Sequence, residues 1–210
     1  MADEFDKAYW EGHYRGQHAP PHDQPPNQTL VDTAGALAPG RALDAGCGHG
    51  ADARWLAAHG WRVTAVDVSA TVLAAARDRG ATLGTDTAAR ITWIEADVAT
   101  WSPPEERFDL VTSHFVHVPA ALGATFVRQL AAAVAPGGVL LFVGHDAAGV
   151  HEGVHTDAAE AYVTVAEVAA QLDPAQWQID VAETRSHTTG GRHQHQPVRR
   201  DAVLRARRAP

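Results

Sequence analysis

The stretch that decides the fold is Leu43-Asp44-Ala45-Gly46-Cys47-Gly48-His49-Gly50, which begins inside the strand-like run Arg41–Ala45. Glycines at this spacing let the backbone turn sharply and approach a ligand closely, because glycine has no Cβ atom. The stretch Ala51–His59 then begins a helix whose N-terminus points at the same place. The loop is therefore predicted to hold a nucleotide-like ligand at the end of a strand.

The spacing and charge of this loop distinguish between two classes of ligand. A dinucleotide fingerprint has the spacing G-x-G-x-x-G, whereas here Gly46, Gly48 and Gly50 alternate with other residues. Asp44 lies just before them, and a carboxylate at that point would repel a pyrophosphate. It suits a ligand that carries an ammonium group and a sulfonium, which describes the methionine half of S-adenosylmethionine. The charge therefore favours S-adenosylmethionine, with S-adenosylhomocysteine as its product.

Outward from this loop, short β-rich runs alternate with Ala-rich stretches whose apolar residues recur at helical spacing. Strand–helix alternation at this rhythm predicts right-handed crossovers and a parallel sheet with helices on both faces. The predicted strands are Arg41–Ala45, Arg62–Val66, Ile91–Glu95, Phe108–Ser113 and Val139–Gly144. The predicted helices are Ala51–His59, Ala70–Arg79 and Ala120–Ala135, the last ending at the turn Pro136-Gly137-Gly138.

The C-terminal part follows a different pattern. A helical stretch, Ala158–Leu172, precedes two β-like runs, Gln178–Thr184 and Val198–Arg205. The gap between these runs is too short for a helical crossover, so the pair is predicted to form an antiparallel hairpin. Residues 85–89 and 185–197 are expected to be loops. The fold class predicted is α/β, a Rossmann-like doubly wound, mostly parallel seven-stranded sheet with an antiparallel last strand and helices on both faces.

The N-terminal part is expected to form a helix, Asp3–Tyr14, followed by a Pro-, His- and Gln-rich loop that runs through Asn27. We predict a single domain over residues 1–210. In it, residues 1–30 form the N-terminal helix and lid loop, and residues 31–210 form the Rossmann-like core.

Composition argues against several classes of protein. The single cysteine cannot form an internal disulfide, which favours the cytoplasm. No apolar run approaches the roughly 18 residues of a membrane helix, and Met1–Arg15 lacks the pattern of a secretory signal. A formal net charge of -8 argues against broad contact with nucleic acid. We expect a cytoplasmic monomer or homodimer that acts on a small-molecule substrate, with no nucleic-acid or membrane partner.

Two further carboxylates follow the next two predicted strands. Asp67 ends the second strand, where it can accept hydrogen bonds from both hydroxyls of a ribose. Asp97 follows the third strand and can accept from an adenine amino group, with Val68 or Trp101 covering the ring. Each Asp alone could be a helix cap or a turn residue. Acidic residues at the ends of three consecutive strands, beside a Gly loop, favour a nucleoside site.

These motifs resemble those of the class I S-adenosylmethionine-dependent methyltransferases. Leu43–Gly50 is similar to the family's first motif, Asp67 to its ribose acid and Glu95–Val98 to its adenine segment. Phe108–Ser113 resembles the fourth strand, and Ala135–Gly138 resembles the turn before the fifth.

The resemblance covers roughly residues 30–205 and implies the fold and the cofactor, S-adenosylmethionine, without implying a particular substrate. The family's seventh strand is antiparallel, which agrees with the hairpin predicted above. The residues expected to contact the cofactor are Asn27, Asp44, Ala45, Gly46, Gly48, Gly50, Asp67, Val68, Ala96, Asp97, Val98 and Ser113.

The N-terminus carries a narrower resemblance. Phe5-Asp6-Lys7-Ala8-Tyr9-Trp10, followed by Tyr14 and Pro26-Asn27, is similar to the opening of small-molecule methyltransferases of the tellurite-resistance and thiopurine type. There the N-terminal helix and loop close over cofactor and substrate, which implies that Trp10 and Tyr14 line the substrate pocket. The same two residues, one turn apart, can instead pack one face of the helix. An aromatic often precedes the Pro-Asn step in those enzymes, whereas this chain has His22-Asp23-Gln24-Pro25.

Histidine is the most unusual residue of the sequence. The chain has 13 of them, and most fall at the edge where the parallel strands end and ligands of such sheets bind. His114 and His117 follow the fourth predicted strand, and His145 ends the fifth. The others at this edge are His151, His155, His187, His193 and His195.

Three interpretations of these histidines compete. They can be solvated loop residues, or some can act as a general base or orient the acceptor, with His117 first, then His145 and His114. In that second interpretation His187, His193 and His195 contact the substrate. In the third, several bind a metal, because neutral imidazole is a common ligand. No H-E-x-x-H motif or Cys cluster supports a metal site, so none is predicted.

The sequence leaves several functions open. The leading hypothesis is methylation of a small nucleophile, such as a thiol, a selenol, a chalcogen oxyanion, or an oxygen or nitrogen of a metabolite. An alternative is nucleic-acid or protein methylation, although Ser113-His114-Phe115-Val116 differs from the Pro-Pro-Tyr/Trp-type motif that holds a flipped base in many such enzymes. A non-catalytic cofactor-binding protein is a further alternative. A nicotinamide oxidoreductase is disfavoured by the charge of Asp44.

Overall fold

A computed structural model describes residues 5–16, 24–101, 107–146, 164–188 and 198–210. In chain order these residues form α1 (Lys7–Gly16), α2 (Gln28–Ala34), β1 (Arg41–Ala45), α3 (Ala51–Ala58), β2 (Arg62–Asp67), α4 (Ala70–Ala81), α5 (Thr85–Ala88), β3 (Ile91–Glu95), β4 (Phe108–His114), α6 (Ala120–Ala133), β5 (Val134–His145), α7 (Val165–Ala169), β6 (Trp177–Thr188) and β7 (Val198–Arg208).

The strands form one seven-stranded sheet in the order β3-β2-β1-β4-β5-β7-β6. β1 pairs in parallel with both β2 and β4. The chain adds β2 and β3 on one side of β1, and then β4 and β5 on its other side. Ligands of such sheets bind where this direction changes, beyond the carboxyl ends of the strands. β7 is antiparallel to both β5 and β6. The predicted fold class and the C-terminal hairpin are confirmed.

The sheet separates two hydrophobic layers. Neighbouring residues of a strand face opposite sides, so Leu141 of β5 packs in one layer and Leu140 in the other, both without exposed surface. One layer is filled from α3 and α4, as by Leu56 and Leu73. The other is filled largely from α6, as by Phe126. Burial on both faces explains why these strands read as continuous apolar runs.

Several element boundaries differ from the sequence-based expectation. The expectation of a loop over residues 85–89 is wrong, because Thr85–Ala88 forms the short helix α5 after Gly84. A helix this short has no apolar periodicity that a sequence can display. β5 begins at Val134 rather than Val139, and β6 extends through Thr188 because its pairing with β7 continues. The rest of the expected loop, residues 189–197, lies outside the described residues.

Two helices begin at capping residues that the sequence analysis did not use. α2 was not predicted, and its first turn is capped by Asn27, whose side chain accepts a hydrogen bond from the N–H of Thr29 at 2.8 Å. α7 begins after Thr164, which forms a capping box with Glu167. Within the described part, the helix expected over Ala158–Leu172 is therefore short, and residues 158–163 lie outside that part.

The helices of the described residues do not include one that is long and apolar enough to cross a membrane.

Candidate active site

The Gly loop after β1 is held by the backbone of β2. The N–H groups of Gly46 and Cys47 both donate to the carbonyl oxygen of Val66, at 2.8 and 2.9 Å. Gly46 has φ of 76°, and a Cβ atom built there would lie 2.1 Å from Cγ2 of Val116. Only glycine satisfies both the backbone angle and this close approach. The loop is thus a fixed cradle of backbone at the end of β1.

Asp44 is a buried carboxylate beside this cradle. Its side chain is on β1, the residue is 2 % exposed, and Oδ2 has no hydrogen-bond partner among the described residues. Burial and the nearby charges of Asp52 and Asp67 raise the pKa of Asp44 well above its ordinary value. A buried carboxylate oxygen without a hydrogen bond costs free energy, and buried polar groups in native proteins are usually hydrogen-bonded. The partner that this site lacks is a hydrogen-bond donor, preferably a cation.

Asp67 at the end of β2 is oriented by backbone donors. Oδ2 accepts from the N–H of Gly48 at 2.9 Å, and Oδ1 accepts from the N–H of Ser69 at 3.0 Å. Burial raises the pKa of Asp67, while these hydrogen bonds oppose the rise. Each carboxylate oxygen can accept more than one hydrogen bond, so Asp67 keeps capacity toward a ligand.

Asp97 follows β3 and stabilises a turn, which is one of the two roles that the sequence leaves open for it. Its Oδ1 accepts from the N–H of Ala99 at 2.9 Å. Asp97 also lines a cavity together with Val68 and Val98. The two roles are therefore compatible.

Two adjoining cavities lie along this edge of the sheet. The smaller, about 260 Å³, is here called the strand-tip cavity and is lined in part by Asp67 and Asp97. The larger, about 490 Å³, is here called the loop cavity and is lined in part by Asp44. The residues that line both are Phe5, Trp10, Tyr14, Gly46, Phe115 and His117.

Most of the expected cofactor-contacting residues lie on these cavities. The strand-tip cavity includes Gly46, Asp67, Val68, Asp97 and Val98, and the loop cavity includes Asn27, Asp44, Gly46 and Gly48.

Four others, Ala45, Gly50, Ala96 and Ser113, are outside the residues that line either cavity. Ser113 is fully buried, and a Cβ at Gly50 would lie 2.5 Å from the Trp93 ring, so both positions are occupied by core packing. Contact of these four with a cofactor stays a prediction.

The three candidate catalytic histidines have different surroundings. His114 is fixed by Asp52 Oδ2, 2.6 Å from Nδ1, and by Thr112 Oγ1, 2.9 Å from Nε2, so both ring nitrogens are engaged. His145 lies 3.6 Å from a carboxylate oxygen of Asp201. His145 also lies against the rings of Phe115 and His117.

His117 lies among rings where the two cavities meet. It stacks on Trp10 with centroids 5.9 Å apart, on Phe5 at 5.6 Å and on His145 at 5.6 Å. Burial, together with the positive charges that His145 and His13 can carry, lowers the pKa of His117 to about 4. His117 is therefore a neutral imidazole at pH 7, able to accept a hydrogen bond.

Helix α1 covers this junction and is attached through side chains. Glu11 accepts from Oγ1 of Thr71 at 2.5 Å and from the N–H of Thr71 at 3.3 Å, at the N-terminus of α4. These hydrogen bonds, and others from Ser69 and Ala70, lower the pKa of Glu11 to about 2. Lys7, the first residue of the helix, forms an exposed ion pair with Glu95.

The expected substrate residues Trp10 and Tyr14 both line the two cavities, and burial together with the charge of Asp67 raises the pKa of Tyr14. His187 is in β6, although its side chain is not described. His193 and His195 lie outside the described residues, as do His151 and His155. Within the described ranges, no group of three His, Cys, Asp or Glu side chains is arranged to hold a metal ion.

Sequence reasoning missed three residues of this site. Asp52 connects two elements, because it accepts from the backbone N–H of Asn27 at 2.7 Å as well as contacting His114. Phe5 and Phe115 both line the two cavities. An acid in the first turn of a helix is ordinary, and a lone phenylalanine such as Phe115 is an ordinary core residue. Phe5 alone had a sequence signal, because it begins the N-terminal stretch that resembles small-molecule methyltransferases.

Comparison with known proteins agrees with this geometry. Residues 42–138 match the family described as a methyltransferase domain, a segment that includes the Gly loop and the three carboxylates. This part of the chain is therefore similar to a methyltransferase domain. This match agrees with the resemblance to methyltransferases stated above, and the fold predicted from it is confirmed.

Curated relatives match part of the chain. An uncharacterized methyltransferase of Mycobacterium tuberculosis is 36% identical over 126 residues, 58% of this chain and 61% of that protein. A ribosomal RNA small subunit methyltransferase C of Alcanivorax borkumensis is 37% identical over 112 residues, 51% of this chain and 33% of that protein. The chain thus spans about three fifths of the length of the first relative and about one third of the length of the second.

Solved structures match the fold over nearly the whole chain. The N-methyltransferase NodS from Bradyrhizobium japonicum, in complex with S-adenosyl-l-homocysteine, superposes with a TM-score of 0.72 at 20% identity. The match covers 98% of this chain and 100% of NodS. At 20% identity, this similarity supports the fold and does not extend to the substrate.

Proposed function

We propose that this protein binds S-adenosylmethionine at the carboxyl edge of its sheet and transfers the methyl group to a small molecule. The observation that carries the proposal is the set of carboxylates at the ends of three consecutive strands, Asp44, Asp67 and Asp97, around two cavities that meet at Gly46. A pyrophosphate would be repelled by this set. A ligand with an ammonium group, a ribose and an adenine has a donor for each carboxylate.

The fit to such a ligand can be followed residue by residue. The unpaired Oδ2 of Asp44, in the loop cavity, suits the ammonium group of the methionine half. Asp67, fixed by Gly48 and Ser69, suits the two ribose hydroxyls. Asp97, in the strand-tip cavity, suits the adenine amino group, with Val68 against the ring. In this arrangement the reacting methyl group faces the region that the two cavities share.

The reaction is an in-line displacement in which orientation and exclusion of water supply most of the rate. S-adenosylmethionine supplies a methyl group on a positively charged sulfur, and its loss leaves neutral S-adenosylhomocysteine. The acceptor's lone pair forms the new bond to the methyl carbon while the carbon–sulfur bond breaks and its electrons stay on sulfur. A proton that the acceptor releases passes to neutral His117, which lies at the junction, and then to water.

A small acceptor is favoured over nucleic acid by charge and access. The whole chain has a net charge of -8, which opposes a polyphosphate backbone. Among the described residues, Trp10 of helix α1 stacks on His117 at the junction and lines both cavities, which restricts access for a large acceptor.

Calorimetric titration with S-adenosylhomocysteine tests the binding half of this proposal. We expect Asp44→Asn to lower the affinity about 10- to 100-fold, because a charge-assisted hydrogen bond is lost. The same substitution removes a buried carboxyl group whose Oδ2 has no partner among the described residues, so its melting temperature should equal or exceed that of the wild type. Asp32→Asn is the matched control, since Asp32 is exposed and hydrogen-bonds only to Gln28 in the described contacts. Equal affinity in both variants would contradict the role given to Asp44.

Transfer of isotopic label from S-adenosylmethionine tests the catalytic half. The acceptors are a mixed panel of small thiols, phenols, carboxylates and amines, with total RNA as a separate sample. Label in a small acceptor supports the proposal, and label in RNA alone would replace it by nucleic-acid methylation. Bound cofactor without transfer to any acceptor would favour a non-catalytic protein on this fold.

A further inference from the structure

We infer that the acceptor is an uncharged aromatic molecule whose reacting N–H or O–H is attached to the ring, held beneath α1 against the rings that line both cavities. The inference rests on the proposed function and narrows its substrate class.

The surface shared by the two cavities is made mainly of aromatic rings. Trp10 and His117 are nearly parallel, at 8°, and Phe5 lies within 27° of His117. Phe115, which also lines both cavities, lies against His145 with ring centroids 4.7 Å apart and planes tilted by 33°. Rings at centroid distances of 4.5–7 Å attract one another beyond their buried area. A flat ring is therefore the shape that this surface binds best.

Backbone strain is concentrated at two of these rings. Phe5 (φ 69°) and Phe115 (φ 54°) are the non-glycine residues with positive φ in the described part of the chain. A left-handed backbone conformation is strained for any residue that has a Cβ atom. Strain of this kind persists where the surroundings hold a side chain in a functional position. That both strained residues line both cavities indicates that the position of the rings matters for the ligand.

The charge around the cavities disfavours an anionic acceptor. No lysine or arginine occurs among the described residues that line either cavity. The acidic residues that do line them are Asp6, Asp44, Asp52, Asp67 and Asp97. A carboxylate or phosphate acceptor would meet repulsion from these acidic residues, with no lysine or arginine among the described lining residues to offset it.

The proton balance disfavours an aliphatic amine. His117 is a weak base, with a pKa of about 4, so it removes a proton only from a group that is itself readily deprotonated. An alkylammonium product holds its proton too tightly for this base. Nitrogen or oxygen attached to an aromatic ring releases its proton far more readily once methylated. Ring-attached acceptors therefore agree with both the base and the cavity wall.

The test compares acceptors of matched size at pH 7: aniline, phenol, cyclohexylamine and benzoate. Binding of each to protein saturated with S-adenosylhomocysteine is measured by saturation-transfer NMR, and methylation is measured with labelled S-adenosylmethionine. We expect aniline and phenol to bind, and at least one of them to be labelled, while cyclohexylamine and benzoate do neither. Label on aniline alone identifies nitrogen as the nucleophile, and label on phenol alone identifies oxygen.

Two results would overturn the inference: binding of benzoate or cyclohexylamine as strong as that of the neutral rings, or no binding of any ring to the saturated protein. Failure of S-adenosylhomocysteine itself to bind is a different result, since it would refute the proposed function first.

Variants separate the ring contacts from general packing. Phe115→Leu should weaken aniline and phenol binding about 3- to 10-fold, the range expected for one aromatic contact. His117→Asn should lower kcat more than it raises KM, because it removes the proton acceptor but keeps a polar side chain. His59→Asn is the matched control, since His59 also stacks on a tryptophan, Trp55 at 3.9 Å, and is exposed away from both cavities. Unchanged affinity for aniline and phenol in Phe115→Leu would show that this ring does not contact the acceptor.

Discussion

The Gly loop and helix α1 border the same cavities but are held in different ways. The loop is fixed by backbone hydrogen bonds, in which Gly46 and Cys47 donate to Val66 inside the buried sheet. Helix α1 is held by side chains: Glu11 at the N-terminus of α4, Lys7 at Glu95, and a set of ring contacts.

This difference separates two functions in the molecule. A site made from the backbone of a buried sheet cannot move without unfolding the core, whereas a helix held by a few side chains can open locally. The loop side is therefore suited to hold a constant ligand, and the α1 side is suited to admit and release an acceptor.

The largest effect is expected from damage to the loop. Gly46→Ala puts a Cβ atom 2.1 Å from Val116 Cγ2 at a left-handed φ, so it should abolish measurable S-adenosylhomocysteine binding and lower the melting temperature. Gly84→Ala is the matched control, because Gly84 has φ of 86° with nothing within 4 Å of the new Cβ. It should cost only the backbone strain, about 1–3 kcal/mol at φ 86° and ψ 153°, and leave binding intact. Similar calorimetric results for the two variants would mean that the close approach to Val116 is unimportant.

A smaller effect is expected from the side-chain attachment of α1. The pKa of Glu11 is lowered to about 2 from an ordinary value of 4.5, so its stabilisation is complete above about pH 4.5 and is lost as the pH falls toward 2. Hydrogen exchange of α1 amides, corrected for intrinsic rates, should accelerate over that range, while β1 amides stay protected. Glu11→Gln should exchange about 5- to 30-fold faster at pH 7 and lose most of the pH dependence.

Glu183→Gln on β6, an exposed acid paired with Arg185, controls for a change of net charge. If α1 protection in Glu11→Gln equals that of the control at every pH, Glu11 does not hold the helix.

The smallest effect is expected at the exposed end of α1. Lys7 and Glu95 are 58% and 43% exposed, and exposed ion pairs contribute little because water screens them. Lys7→Ala should leave the melting temperature and α1 exchange unchanged within error. A clear acceleration of hydrogen exchange in this variant would show that Lys7, rather than Glu11, provides the main attachment of α1.

The same two regions differ in how far the sequence predicts them. β1 and β3 have the bounds predicted from their apolar runs. Asp67 and Asp97 line the same cavity, as expected, because the carboxyl ends of parallel strands meet at one edge of the sheet. The contact of His114 with Asp52 joins residues 62 apart in sequence, so no local pattern encodes it. The positive φ of Phe115 likewise arises from tertiary packing and has no sequence signal.

The most direct test of the central claim is a crystal structure of the protein with S-adenosylhomocysteine. We expect the ligand's ammonium group within hydrogen-bond distance of Asp44 Oδ2, its ribose hydroxyls on the Asp67 carboxylate and its adenine beside Asp97. Its sulfur should face the rings beneath α1. Density for the ligand elsewhere, or in these cavities without a ribose contact to Asp67, would contradict the account.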